Sequence, residues 1–286
     1  RNVAVGHSTL ASLNAGADAY NVAVGFEAGY AMTTGVKNTL IGGNAGLALT
    51  TGVFNTAVGF EALHSEDTGH YNTAIGYLAL TTLNVDNGYN TAVGFEAGKS
   101  MTTGTHNVIM GALAGDALTT GIQNVAIGYL ALSTEDTGSK SVAIGTAALS
   151  AQNYDGHAFN TAIGHDAGAA VTTGVQNTLI GGAAGDALTT GSANVAIGFQ
   201  ALTQEDAHRR NVAIGYNTLF YQNAGADANN TAVGYHCGVS MTTGVSNTIL
   251  GAHAGDALTT GSNNVAIGFH ALGDETTGGS NVAIGK

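Results

Sequence analysis

Proline and tryptophan are absent from this sequence, cysteine occurs once, and lysine and arginine together number only 7. Each shortage excludes something. A lone thiol, Cys237, cannot close an internal disulfide, so the fold does not draw on an oxidising compartment. Seven cations against 19 carboxylates, for a net charge of −12, leave no basic patch for nucleic acid or for an anionic membrane surface. No apolar run approaches the ~20 residues that cross a bilayer, and no signal-peptide pattern opens the chain. The sequence therefore reads as soluble, with no nucleic-acid partner and no membrane insertion by this segment. Charged residues make up 9% of it, but hydrophobic residues reach 44%, which is too apolar for disorder.

Glycine is what the chain has in excess, 44 in all, without the three-residue period of collagen. The glycines belong to a repeat. A motif of Asn, then Val or Thr, then one residue, an aliphatic residue and Gly starts seventeen times between residues 2 and 281. The steps are 17 residues, widened to 18 or 19 once in every four. Four superrepeats result, at 2–71, 72–140, 141–210 and 211–280, with a partial unit at 281–286.

Numbering each unit from its first residue, position 4 is always Val, Ile, Leu or Met, and position 5 is Gly from Gly6 to Gly285. Alternation over so few residues is strand periodicity, with positions 2 and 4 on one face and 3 on the other. We expect position 4 to point inward. Glycine in every unit and the lack of a 3.6-residue stripe oppose a helix. One coil cannot bury its own face, but coils stacked at ~4.7 Å can. The expected architecture is all-β: one β-solenoid domain of about 17 coils, a rod of roughly 75 Å. It reads as a segment of a longer fibre protein.

The first residue is Asn in every unit but one, which has Ser141. An Asn there suits a left-handed backbone and an amide ladder from coil to coil. Gly at position 5 suits a bend with positive φ or a close backbone approach. Side-chain sizes also alternate. Leu40 pairs with Gly43, Ile109 with Ala112, Leu179 with Gly182 and Ile249 with Ala252 at positions 3 and 6, and most other units reverse the order. This predicts that the two positions share one packing space.

The stretches NVAVG, NTAIG, NVAIG and SVAIG, each followed by a small-residue turn, resemble the head repeats of YadA-like trimeric autotransporter adhesins. The longer forms, with FEAL…TG or AGDALTTG after the motif, also resemble phage tail-fibre repeats. The resemblance covers residues 2–285. It implies a left-handed β-roll, a parallel homotrimer, and a structural or adhesive role on a cell surface or virion, with a cell-surface glycan or protein receptor as partner.

Three histidines break the otherwise scattered pattern. His236, His253 and His270 occupy position 7 of consecutive coils, which predicts an imidazole column at ~4.7 Å steps and makes them candidate metal ligands. Acidic pairs recur in the fourth unit of each group, at Glu66 and Asp67, Glu135 and Asp136, Glu205 and Asp206, and Asp274 and Glu275. They read as solvated turns rather than as a glycosidase pair or a calcium site, because catalysis needs one tuned concave site and these recur along the chain. Thr pairs at positions 13 and 14, such as Thr33 with Thr34 and Thr119 with Thr120, are similar to ice-binding arrays on solenoids and give an alternative reading as an ice- or surface-binding solenoid. A fibre-borne polysaccharide-degrading enzyme is the third reading, but no nucleophile, metalloprotease or phosphate-loop motif appears. No enzyme activity and no cofactor are expected. The widened units carry polar loops at 14–20, 84–89, 153–159 and 223–229, and loops on a rigid scaffold are where recognition tends to sit. Tyr20, Asp86, Tyr154 and Asp155 are the candidate ligand contacts.

Overall fold

A computed structural model describes every residue except Ala17 and Ala226. Among the described residues all regular structure is strand, seventeen segments of three residues from β1 (Val3–Val5) to β17 (Val282–Ile284). Each strand is positions 2 to 4 of one repeat. No helix of the described residues is long and apolar enough to cross a membrane.

The chain divides into two compact units, Arg1–Ser141 and Val142–Lys286. The first holds β1 to β8 (Val125–Ile127) and the second β9 (Val142–Ile144) to β17. Within each unit every strand pairs in parallel with the next at the repeat register. Val22 faces Thr39, Ala23 faces Leu40 and Val24 faces Ile41 in the first unit; Thr161 faces Thr178 and Ala162 faces Leu179 in the second. Hydrogen bonds climb the stack on both sides of each strand. The Val22 N–H donates to the Asn38 carbonyl at 2.9 Å and the Gly25 N–H to the Val5 carbonyl at 2.8 Å. Each unit is thus a parallel β-solenoid.

The strand faces are the reverse of the sequence expectation. Position 3 is the buried one: Ala23, Leu40, Ala57 and Ile109 are at or near zero exposure. Position 4 faces outward, with Ile41 39% and Leu250 46% exposed. The cause is parity. Asn at position 1 is buried, as Asn38, Asn55 and Asn177 illustrate, and in a strand residues two apart share a face, so burying position 1 buries position 3.

Inside the coil, position 3 packs with positions 8, 9 and 12. Ala28, Ala45 and Ala62 fill position 8, Leu63 and Leu80 position 9, and Met32, Leu49 and Leu83 position 12, all fully buried. The size compensation also lies elsewhere than expected. Where position 3 is large, the glycine that makes room is at position 9. A Cβ on Gly29 or Gly46 would come within 2.8 or 2.9 Å of the Leu40 methyls. Position 6 is outside the coil, with Phe60 47% exposed, so it shares no space with position 3.

The asparagines form the expected ladder, mostly from side chain to backbone, with direct amide-to-amide bonds at some steps, such as Asn107 Nδ2 to Asn90 Oδ1 at 3.2 Å. The Asn21 Oδ1 accepts the backbone N–H of Asn38 at 2.9 Å, and the Asn38 Nδ2 donates to the Gly52 carbonyl of its own coil at 2.8 Å. One bond joins coils and the other closes a coil. The left-handed backbone falls one residue earlier than expected, at Lys37, Phe54 and Tyr71 with φ near 60°. The glycine expectation holds at position 5. Gly59 has φ +140°, and a Cβ there would drive into the carbonyl oxygen of Gly76. Cys237 takes a position-8 site among the alanines. It is fully buried, and burial pushes its thiol up to about 12.

Candidate functional site

An outward strand face runs through the successive strands of each unit. Alternation puts positions 2 and 4 on it, so it is built from Val, Thr, Ile, Leu and Met and carries no charge. Position 6 adds rings along one side, because the turn after Gly keeps that residue on the outside in every coil. Phe60, Tyr77 and Phe95 stack at centroid separations of 5.8 and 5.4 Å. In the second unit Phe199, Tyr216 and Tyr235 stack at 5.7 and 5.4 Å.

A second exposed column runs up the first unit at the residue just before each Asn. Lys37 lies 4.8 Å from the Phe54 ring centroid, and Phe54, Tyr71, Tyr89 and His106 follow at 5.4, 4.9 and 5.1 Å. Sequence reasoning missed this column. Its signal was the same interval arithmetic applied one residue earlier. The rings cover one another's faces, leaving edges outward.

The four loop residues expected to contact ligand stand on separate coils, except that Tyr154 and Asp155 are neighbours. The Tyr20 hydroxyl accepts from Arg1 Nη1 at 2.8 Å, while Arg1 Nε pairs with Asp18 at 3.2 Å. Asp86 is exposed and its Oδ1 accepts the Thr68 hydroxyl at 2.9 Å. Tyr154 is half-buried, its carbonyl accepting the Gly156 N–H at 2.6 Å, and Asp155 is exposed.

The histidine column is present but does not gather ligand atoms. His236 and His253 have ring centroids 5.7 Å apart, and His236 lies 4.3 Å from the Tyr235 ring. His253 Nδ1 turns to Asp256 Oδ2 at 3.2 Å, and His270 lies beside Phe269. All three share a left-handed φ between 53° and 58°, because position 7 is a turn position. Among the described residues, the group of three metal-ligating side chains that does converge is Glu205, Asp206 and His208, their ligand atoms within 4.8 Å of one another.

That group grows from the recurring acidic pair, whose glutamate is buried rather than part of a solvated turn. Glu66, Glu135 and Glu205 occupy position 12, the core site of Met32 and Leu49, and have no exposed surface. The Glu66 Oε1 accepts the Gly69 N–H at 2.8 Å, and its two oxygens reach the Val85 N–H of the widened loop above at 3.4 and 3.3 Å. Burial pushes the Glu66 carboxyl up to about 7.

In the third group the Thr-Gly that follows this acid is replaced by Ala207 and His208. Most position-15 glycines are backed by backbone: a Cβ on Gly52 would strike the Gly69 carbonyl. On Gly69 it would first meet the Glu66 carboxylate, a side chain that can move. The fourth coil of a group therefore tolerates a larger residue. His208 uses the room to place Nδ1 2.5 Å from Glu205 Oε1 and 3.8 Å from Asp206 Oδ1. Its backbone N–H also donates to Glu205 Oε1 at 3.1 Å, and Asn211 Nδ2 approaches Oε2 at 3.4 Å. Burial raises the Glu205 carboxyl above its ordinary value, and His208 opposes that rise.

The position-13 threonines are hydrogen-bonded along the stack. The Thr50 and Thr119 hydroxyls donate to the carbonyls of Asp67 and Asp136 one coil above, at 3.0 and 2.9 Å. Comparison with protein-family models, curated proteins and solved structures finds no match to this chain.

Proposed function

We propose that this chain is a rigid structural or adhesive segment of an extracellular fibre, on a cell surface or a virion. Three parallel copies pack through their strand faces into a left-handed β-roll homotrimer, and the widened loops face outward toward a glycan or protein receptor. The protein is not an enzyme and uses no cofactor in this role. The uncharged strand face, with an aliphatic residue at position 4 of every coil, carries the reading. Monomers rarely leave contiguous apolar patches above a few hundred Å² in water. The face repeats at the coil spacing, and a partner that meets it row for row needs that same spacing. Another copy of the chain has it by construction. The choice of three copies follows the resemblance of the NTAIG-type motif to trimeric adhesin heads.

Native mass spectrometry and sedimentation test this. The expected species is a trimer at micromolar concentration, and a Val58→Asp, Ile75→Asp double variant is expected to be monomeric with an unchanged circular dichroism spectrum, since an unpaired charge buried in such an interface costs several kcal/mol. A monomeric parent chain overturns the proposal.

A second reading has its own observation. Thr39, Thr56, Thr73 and Thr91 stand half-exposed at position 2 of four successive coils, each with a Val or Ile two residues on. That is a grid of ~4.7 by ~7 Å, which suits binding to an ice or mineral lattice better than the position-13 threonines do, whose hydroxyls are already bonded along the stack. Lattice binding needs this face bare and trimerisation needs it covered, so a monomeric parent with thermal hysteresis would favour the second reading.

A further inference from the structure

We propose that Glu205, Asp206 and His208 form a binding site for one divalent transition-metal ion of the zinc class. It is separate from the fibre role and does not depend on it. Three donors, one imidazole nitrogen and two carboxylates, are a ligand set zinc accepts, with water completing the sphere.

The spacing is close to what an ion requires. Ligands ~2.1 Å from a tetrahedral ion lie about 3.4 Å from one another. Here His208 Nδ1 stands 2.5 Å from Glu205 Oε1 and 3.8 Å from Asp206 Oδ1. The first must open by about 0.9 Å and the second close by about 0.4 Å, and the Glu205 and Asp206 oxygens lie within 4.8 Å of each other. The ion would take the place of the hydrogen-bonded proton between Nδ1 and Oε1. Two carboxylates balance its charge, and Asn211 Nδ2, 3.4 Å from Glu205 Oε2, steadies the buried carboxylate as outer-shell partners of metal ligands do. An entry path exists on the outer side, where the Asp206 side chain is 51% and the His208 side chain 14% exposed.

The repeat supplies its own controls. The same buried acid followed by Asp recurs as Glu66 with Asp67 and Glu135 with Asp136, but there position 15 is Gly69 and Gly138. Acid pairs alone are thus the ordinary turn of this solenoid, and the imidazole makes the third group different. His208→Gly restores the residue that three sister coils carry. Glu205→Gln installs a residue already buried at position 12 in Gln152 and Gln222. Both variants have precedents for folding within the same chain.

The test is calorimetric titration of Zn²⁺ into the untagged, chelator-treated full chain near neutral pH, with thermal unfolding in parallel. The expected result is one ion per chain and a rise in Tm. His208→Gly should abolish both, Glu205→Gln should weaken binding at least about tenfold, and His253→Gln should change neither. No saturable binding by the parent chain overturns the assignment. So does binding that survives His208→Gly, or binding that is lost with His253→Gln.

Discussion

At the scale of the residue, two side chains account for the monotony of the sequence, and a third interrupts it. Gly at position 5 is required twice over, by its φ and by the carbonyl of the coil above, as Gly59 against Gly76 illustrates. Asn at position 1 satisfies a buried N–H and a buried carbonyl at once, each bond a net gain of about 1 kcal/mol and a larger loss if one partner is left alone. The buried glutamates work against this economy. Glu66 keeps its proton in the folded chain up to about pH 7, whereas its ordinary value is 4.5. Between those values the unfolded chain holds fewer protons than the folded one, so stability falls as pH rises, by about 3 kcal/mol at most. Glu66→Gln is expected to match the parent below pH 4.5 and to exceed it above pH 7. Thermal melts across that range read the difference, and equal pH slopes in the two proteins would refute the account. The burial of Glu66 was hidden in the sequence because Glu-Asp-Thr-Gly looks like a solvated turn. The signal was there in its position, which in nearby coils of the same unit is Met32, Leu49 and Leu83.

At the scale of the element, the strands were legible to the residue, and their orientation was not. Alternation fixes which positions share a face but not which face is inside. The bulky aliphatics at positions 2 and 4 suggested the inside, while the asparagine ladder, also read from sequence, required position 1 and hence 3 to be buried. Only one could hold, and a hydrogen-bonded corner outweighs bulk when the interior is narrow enough to be lined with Ala57, Ala62 and Ala74. The same narrowness couples position 3 to position 9. Leu40→Ala is expected to cost 2–5 kcal/mol. Gly46→Ala should also destabilise, since its Cβ would come 2.9 Å from a Leu40 methyl. The backbone itself tolerates a side chain there, because Leu63 takes the same position with φ 54°. The double variant should therefore cost less than the sum of the two, with a coupling of 0.5–3 kcal/mol in a denaturant-unfolding cycle. Additive costs would separate the two positions.

At the scale of the molecule, the sequence disclosed the period and the superperiod. It did not disclose the convergence of Glu205, Asp206 and His208, which depends on one coil leaving room where its neighbours do not. The superperiod has a packing origin within the second unit. Leu179 fills the space over Gly168 and Gly185, where added Cβ atoms would come within 2.6 and 2.8 Å of its methyls. Below it Leu149, a residue of the widened coil, closes the space on Gly168 at 3.1 Å. A coil is therefore not interchangeable with its neighbour, only with the coil four places on. In a stack stabilised by nearest-neighbour interfaces, removing whole periods should preserve every interface type. Deleting residues 160–229 joins Phe159 to Asn230 and brings a second coil of one group onto the first coil of another, the native succession. Deleting residues 177–193 removes fewer residues but takes Leu179 away and leaves Gly168 under Ala196. The longer deletion is expected to keep a cooperative melt within a few degrees of the parent, and the shorter one to lose more, because an unfilled core site costs about 24 cal/mol per Å³. If the shorter deletion proves the more stable of the two, the four-coil superperiod has no role in packing.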